Sequence, residues 1–210
     1  MATSAQVTPP TPRKSSASLL FSLLTIAGVG LLLLGWALST YNRLVVADQE
    51  VRARWAQVES VYQRRAELAP RLVVAVQSAV PNETFDDVSE AVGPATQDPG
   101  ELLEDPQGFL RYQAVQQTLS GTLKRLLALT GPHPELEAAP HFRELQAQLE
   151  GTENRIAIEG IRFNEAARQY NSLLGRFPTM IVARALGARF PTRPLFQADP
   201  ATPNTPPVRF

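Results

Sequence analysis

Residues Ser15 to Asn42 carry no charged side chain, and Leu19 to Leu38 is almost wholly apolar. A helix rises about 1.5 Å per residue, so about 20 apolar residues span the roughly 30 Å hydrocarbon core of a bilayer. Trp36 and Tyr41 stand at the C-terminal end of the run, where amphipathic aromatic rings settle among headgroups. The stretch therefore reads as a transmembrane helix over residues 19–40, with the rest of the chain working beside a membrane. A cleaved secretory signal is the alternative. Arg13 and Lys14 form a basic leader, and Ala37-Leu38-Ser39 puts small residues at the −3 and −1 positions of a cleavage site. Against that, the apolar run exceeds the usual signal core of about 7–15 residues.

Beyond this stretch the chain has one ordinary domain's worth of sequence, enough for a single core. It has no cysteine, which excludes disulfides, thiolate catalysis, cysteine-ligated zinc and an acylated-cysteine anchor. Twenty basic residues balance twenty acidic ones, whereas a nucleic-acid binder normally carries a basic excess. The 18 prolines cluster before Arg13, in 81–106, around 132–140 and from Pro191 onward. Long nearly proline-free stretches lie between them, as helices require.

Those stretches carry helical periodicity. From Leu44 a stripe runs through Asp48, Val51, Trp55, Val58, Tyr62, Arg65, Ala69, Leu72, Val76 and Ala79 in alternating steps of four and three. Asp48 and Arg65 interrupt it, and Pro70 predicts a kink. The 81–106 connection is acidic and loop-like, with a short helical turn around Phe85, Val88 and Val92. A second helix reads from Gln107 to Thr130 and is stopped by Gly131-Pro132. A third begins near Phe142 and runs to Phe177-Pro178 through Leu145, Leu149, Thr152, Ile156, Phe163 and Tyr170. A short amphipathic helix follows over Thr179–Ala188. No alternating β-type runs lie between turn signals. The expected fold is all-α: an antiparallel bundle of three long helices plus a short C-terminal helix, on an N-terminal transmembrane helix. Its parts are a disordered segment at 1–18, the span at 19–40, the bundle at 41–190 and a Pro-rich extended tail at 191–210.

Three stretches carry a joint pattern. The first is Tyr41-Asn42-Arg43-Leu44-Val45 with Val51, Trp55 and the run from Gln63 to Val73. The second is Leu145 to Ala157, containing Leu149-Glu150-Gly151-Thr152-Glu153-Asn154-Arg155-Ile156. The third is Tyr170-Asn171-Ser172-Leu173 with Phe177-Pro178, Ile181 and Ala183. In order and content these resemble the LemA family from about Tyr41 onward, with Glu67 where aspartate is usual and Arg71 where asparagine is usual. The 81–106 connection is shorter and richer in Pro and Asp than the family's. The resemblance implies a helical bundle on a membrane anchor and implies no chemistry. Some relatives carry a lipoprotein cysteine before the Tyr-Asn segment, which implies a domain on the exported side of the membrane. The basic residues flanking the span, Arg13 and Lys14 before and Arg43, Arg52 and Arg54 after, nearly balance and do not choose a side.

The candidate site residues are Arg64, Arg65 and Glu67 on the first long helix and Glu153 and Arg155 on the third. If those helices are antiparallel neighbours, Arg–carboxylate pairs form between them, either as a partner face or as structural pairing, the reading favoured here. Tyr41-Asn42 and Tyr170-Asn171 echo each other and would meet near the headgroups in an up-and-down bundle. His133 and His141, beside Glu135 and Glu137, match no metal-binding helix pattern. No nucleophile elbow, phosphate loop or catalytic motif occurs. The tail either offers its terminal Phe210 to an extended-peptide groove or packs back on the bundle through Phe196 and Phe210. These readings predict a non-enzymatic membrane scaffold or adaptor with no cofactor and no nucleic-acid partner. Its partners would be the bilayer and membrane or envelope proteins, itself included. The rival is an envelope-ligand or lipid sensor with a pocket lined by Trp55, Tyr62 and Tyr170.

Overall fold

A computed structural model of the chain describes residues 16–77, 83–97, 102–134, 136 and 139–197. Among these, the α-helices include α1 (Ser16–Val76), α2 (Glu83–Ala95), α3 (Pro106–Thr130), α4 (Pro140–Gly175) and α5 (Thr179–Ala185), the last followed by a 3-10 turn at Gly187–Arg189. The chain divides into two units, residues 1–42 and 43–210.

The described part of the first unit is the N-terminal stretch of α1. An 18-residue window there has a mean hydropathy of 2.1 and none of it is buried, so the helix is long and apolar enough to cross a membrane. Its one mid-run threonine keeps its hydroxyl satisfied: Thr25 Oγ1 donates to Ser22 O at 2.8 Å and Phe21 O at 3.1 Å. That internal pairing is what hydrocarbon demands of a polar group.

In the second unit, the stripe read along α1 is the buried face. Leu44, Val51, Trp55, Val58, Tyr62, Arg65, Ala69, Leu72 and Val76 are all buried, and Asp48 is half-buried; Ala79 lies outside the described residues. Helix α1 runs on through Pro70, whose ring is exposed. Helix α4 buries Phe142, Leu145, Leu149, Thr152, Ile156, Phe163 and Tyr170. Helices α1 and α4 are antiparallel. Trp55 meets Phe163 at 5.4 Å between ring centroids, and ten residues further along α1, Arg65 meets Glu153, ten residues back along α4.

Two kinds of packing fill the unit. One is an aliphatic core in which Leu68, Leu72 and Val76 of α1 meet Val88 of α2, Leu119, Leu123 and Leu126 of α3, and Phe142, Leu145 and Leu149 of α4. The other is a ring cluster, with Trp55 at 4.9 Å from Phe109 and Phe109 stacked at 5.8 Å on Phe163. Such ring pairs add about 0.5–1.5 kcal/mol beyond their area burial.

Local sequence sets the ends of α3. Asp105 is the N-cap and accepts from Gln107 N at 3.0 Å, with Pro106 at the first helical position. The capping carboxylate lies 2.5 Å from where a Cβ on residue 108 would sit, so glycine there leaves room for it. The acidic connection differs from its sequence reading: residues Glu83–Ala95 form a 13-residue helix rather than a single turn. Val88, Ala91 and Ala95 are buried at helical spacing while Asp86, Asp87 and Glu90 point to solvent. Phe85 and Val92 pack against the same core, but the acids between them and the Gly93-Pro94 pair inside the helix read as a loop.

Phe163 is fully buried between Trp55 and Phe109. Phe163→Ala should cost about 3–5 kcal/mol of unfolding free energy in detergent, read by denaturant titration of the helical signal. Val74→Ala, at a 64% exposed position, should stay within about 0.5 kcal/mol of the parent.

Candidate functional site

The polar interior is organised around two arginines. Arg65 projects from α1 into the bundle with its side chain 3% exposed. Its Nη1 donates to Glu153 Oε1 of α4 at 2.8 Å, and its Nη2 donates to the main-chain O and to Oε1 of Gln116 on α3 at 2.8 and 2.9 Å. Gln116 passes the connection on, donating from Nε2 to Ala95 O at the end of α2 at 2.9 Å. Glu153 Oε2 accepts from Ser120 Oγ at 3.0 Å, with Lys124 Nζ at 3.9 Å. One guanidinium thus ties together α1, α3 and α4, and through Gln116 also α2. The guanidinium carbon lies 5.1 Å from the Tyr62 ring centroid, a cation–π placement. Burial pushes the Tyr62 hydroxyl well above its ordinary pKa, with the positive charge of Arg65 pulling the other way.

The second arginine comes from the segment after α5. Arg193 is fully buried as a side chain. Its Nε and Nη2 both donate to Asp48 Oδ1, the former at 2.9 Å, and its Nη1 donates to Leu103 O at 3.0 Å. Asp48 also accepts from Arg52 at 3.0 Å, and Arg52 donates to Glu104 at 2.7 Å. Those carboxylates hold Arg52 still more firmly protonated, the Asp48 hydrogen bond contributing most.

Two asparagines seven apart on α4 clamp the backbone of this segment. Asn171 donates to Arg193 O and accepts from Arg193 N, both at 2.9 Å. Asn164 does the same at Phe196, at 2.8 and 2.7 Å. Tyr170 donates its hydroxyl to Pro191 O at 3.0 Å. The Phe196 ring fills the space where a Cβ on residue 160 would sit, 2.6 Å from its nearest atom, so glycine at 160 is what seats it.

The five charged residues marked in the sequence therefore separate. Arg65 and Glu153 are brought together inside the bundle. Arg64, Glu67 and Arg155 are exposed and, with Ser60, Val61 and Gln63, line an open depression of about 320 Å³ on the outer surface. Tyr170 and Asn171 serve the segment after α5. In the first unit Trp36 is 37% exposed and Tyr41 half-buried. His141 borders a second shallow depression with Pro70, Arg71 and Val74, and His133 is half-buried; Glu135, Glu137 and Phe210 lie outside the described residues. No group of three His, Asp or Glu among the described residues is placed to hold a metal ion. Sequence reasoning missed Gln116, Asn164 and Arg193. The interrupting Asp48 was the one signal that a buried cation had to come from elsewhere.

A model of the LemA family matches residues 54–210. The chain is 25% identical to the magnetosome proteins MamQ 1 and MamQ 2 of Paramagnetospirillum magneticum, across 95% of this chain and 81% of theirs. It is 24% identical to the magnetosome protein MamQ of Magnetospirillum gryphiswaldense, across 71% of this chain and 62% of that one.

Arg193→Ala leaves Asp48 with Arg52 alone and holds the segment only by its backbone clamps, so it should cost about 3 kcal/mol and make residues 191–197 easier to cleave by protease. Unchanged cleavage would show that the segment is held without it. The Tyr170 hydroxyl is pushed up to about 12, chiefly by burial and against the pull of Arg193. In the unfolded chain it ionises near its ordinary value of about 10. Between those values the unfolded state binds fewer protons, so stability is full below about pH 10 and falls as pH rises toward 12. Tyr170→Phe should flatten that alkaline slope, measured by denaturation from neutral to alkaline pH.

Proposed function

Since the chain belongs to the LemA family, we propose that it is a membrane-anchored helical scaffold or adaptor without catalysis of its own. The apolar N-terminal part of α1 is the anchor, and the second unit stands on the exported side, as the resemblance to lipoprotein-bearing relatives implies. The observation that carries the reading is the division of the charged residues. The two buried arginines, Arg65 and Arg193, are spent on contacts within the bundle, whereas Arg64, Glu67 and Arg155 face outward around a shallow polar depression. Charged groups at an open surface fix the orientation and register of a protein partner. A sensor would need room among Trp55, Tyr62 and Tyr170. Trp55 instead packs on Phe109 and Phe163, and Tyr62 sets its ring 5.9 Å from Tyr112. The relatives are named for a cellular structure, the magnetosome, and not for a reaction, which supports the same reading.

The test is affinity capture of the full-length protein after light crosslinking in its native membrane, beside Arg64→Ala/Arg155→Ala. Both positions are exposed, so the variant should unfold within about 0.5 kcal/mol of the parent. The reading predicts a reproducible partner set that the variant loses. The same set retained by the variant, or an empty capture from the parent, would contradict it.

A further inference from the structure

The chain is charge-balanced as a whole, but one stretch is not. Between Glu165 and Asp199 there is no acidic residue, and arginine occurs at 168, 176, 184, 189 and 193. Arg193 is consumed inside the bundle by Asp48, while the other four are exposed. The same stretch holds large apolar side chains turned outward: Phe177 is 78% exposed, Ile181 53% and Leu186 40%. Helix α5 docks on the unit through the buried Ala183, and the chain is pinned again at the buried Phe190. The Tyr170, Asn171 and Arg193 clamps follow. The patch is thus carried on a firmly held support.

Its place in the second unit is also fixed. Tyr170, near the C-terminal end of α4, stacks under Arg193 at 5.6 Å, and Arg193 binds Asp48. Helix α5 begins just after α4 ends, so it lies at the end of the unit that carries Arg43 to Asp48. In the sequence, Arg43 follows the apolar run ending at Leu38 by five residues.

We propose that Phe177, Ile181 and Leu186, edged by Arg176, Arg184 and Arg189, form a second lipid contact that lies in the interfacial zone of an anionic bilayer. This rests on the reading of residues 19–40 as a membrane span. An outward apolar group rimmed by arginines suits the boundary between headgroups and acyl chains: the apolar tips enter it, and the guanidinium groups stay with the phosphates while their stems lie along the apolar layer. Anionic lipid strengthens the contact by about fivefold for each arginine near the surface. The result is a bundle held at two points, so that its outer face keeps one orientation to the bilayer.

The absence of cysteine makes the test direct. Single-cysteine versions of the full-length protein, Leu32→Cys, Ala185→Cys and Val74→Cys, are labelled with an environment-sensitive fluorophore. They are reconstituted into vesicles of phosphatidylcholine with phosphatidylglycerol, or of phosphatidylcholine alone. Lipids brominated at shallow acyl positions report groups buried by roughly 5–10 Å. The proposal predicts quenching at 32 and 185 but not at 74. The 185 signal should weaken without phosphatidylglycerol and be lost when Phe177→Asp and Ile181→Asp are added to Ala185→Cys. Those two positions are exposed, so thermal unfolding should not change. Quenching at 32 with 185 behaving like 74 would overturn the proposal and leave the span standing. No quenching at 32 would overturn the span reading and the proposal with it. Shielding of 185 from both brominated lipid and aqueous iodide would make the patch a protein interface and overturn the lipid assignment.

Discussion

A guanidinium cannot be left unpaired in a helical core, and most of this fold is arranged around that fact. The desolvation penalty for a buried ion is several kcal/mol even after relaxation, and it is offset only where geometry and additional hydrogen bonds are good. Arg65 meets the condition at both terminal nitrogens, though not at Nε, by drawing one partner from each of two other helices, Glu153 from α4 and Gln116 from α3, with Gln116 relaying to the end of α2. The aliphatic core around Leu72, Leu123 and Leu149 would tolerate a slipped pairing far better than this network does. Sliding α4 by one turn, about 5.4 Å, would strand both Arg65 and Glu153. In this account hydrophobic burial holds the bundle together and Arg65 selects its register.

The same register reappears at the Asp48 end. Seven residues back from Trp55 is Asp48, and seven on from Phe163 is Tyr170; Arg193 joins the two. Asn164 and Asn171, also seven apart, each bond the backbone donor and acceptor of one residue of the extended segment, Phe196 and Arg193, three residues apart. Prolines at 191 and 194 suit this arrangement, since they favour extended backbone and neither is asked to donate. The segment is therefore part of the bundle, which explains how a seven-residue helix as small as α5 is kept in place between Gly175 and Pro191.

Much of this was legible in the sequence. The three long helices, their buried faces and the antiparallel bundle followed from spacing, because nearly every member of the 44–76 stripe is buried. Arg65 and Glu153 stood among five charged residues offered for pairing across those helices, and spacing alone did not choose which of them would meet. Helix α2 was under-read because acids separate its apolar residues and Gly93-Pro94, which usually breaks a helix, lies inside it. Arg193 was not found because a lone arginine among prolines has no periodicity to betray burial. Its partner Asp48 was visible as a polar break in an apolar stripe, and so was Arg65. Both breaks mark the ionic centres, so in this chain the exceptions to the pattern carried more information about specific contacts than the pattern itself.

Function enters through what these contacts leave over. With the buried arginines occupied inside, the outer residues Arg64, Glu67 and Arg155 and the apolar tip at Phe177 are available to other surfaces. A bundle of fixed register keeps those surfaces at fixed positions. The most direct measurement of that premise is a double-mutant cycle on Arg65→Met and Glu153→Gln, by chemical denaturation of the full-length protein. A register-setting pair predicts a coupling energy of about 1–3 kcal/mol. Additivity within about 0.5 kcal/mol would contradict the account, because the two groups would then be buried side by side without depending on each other.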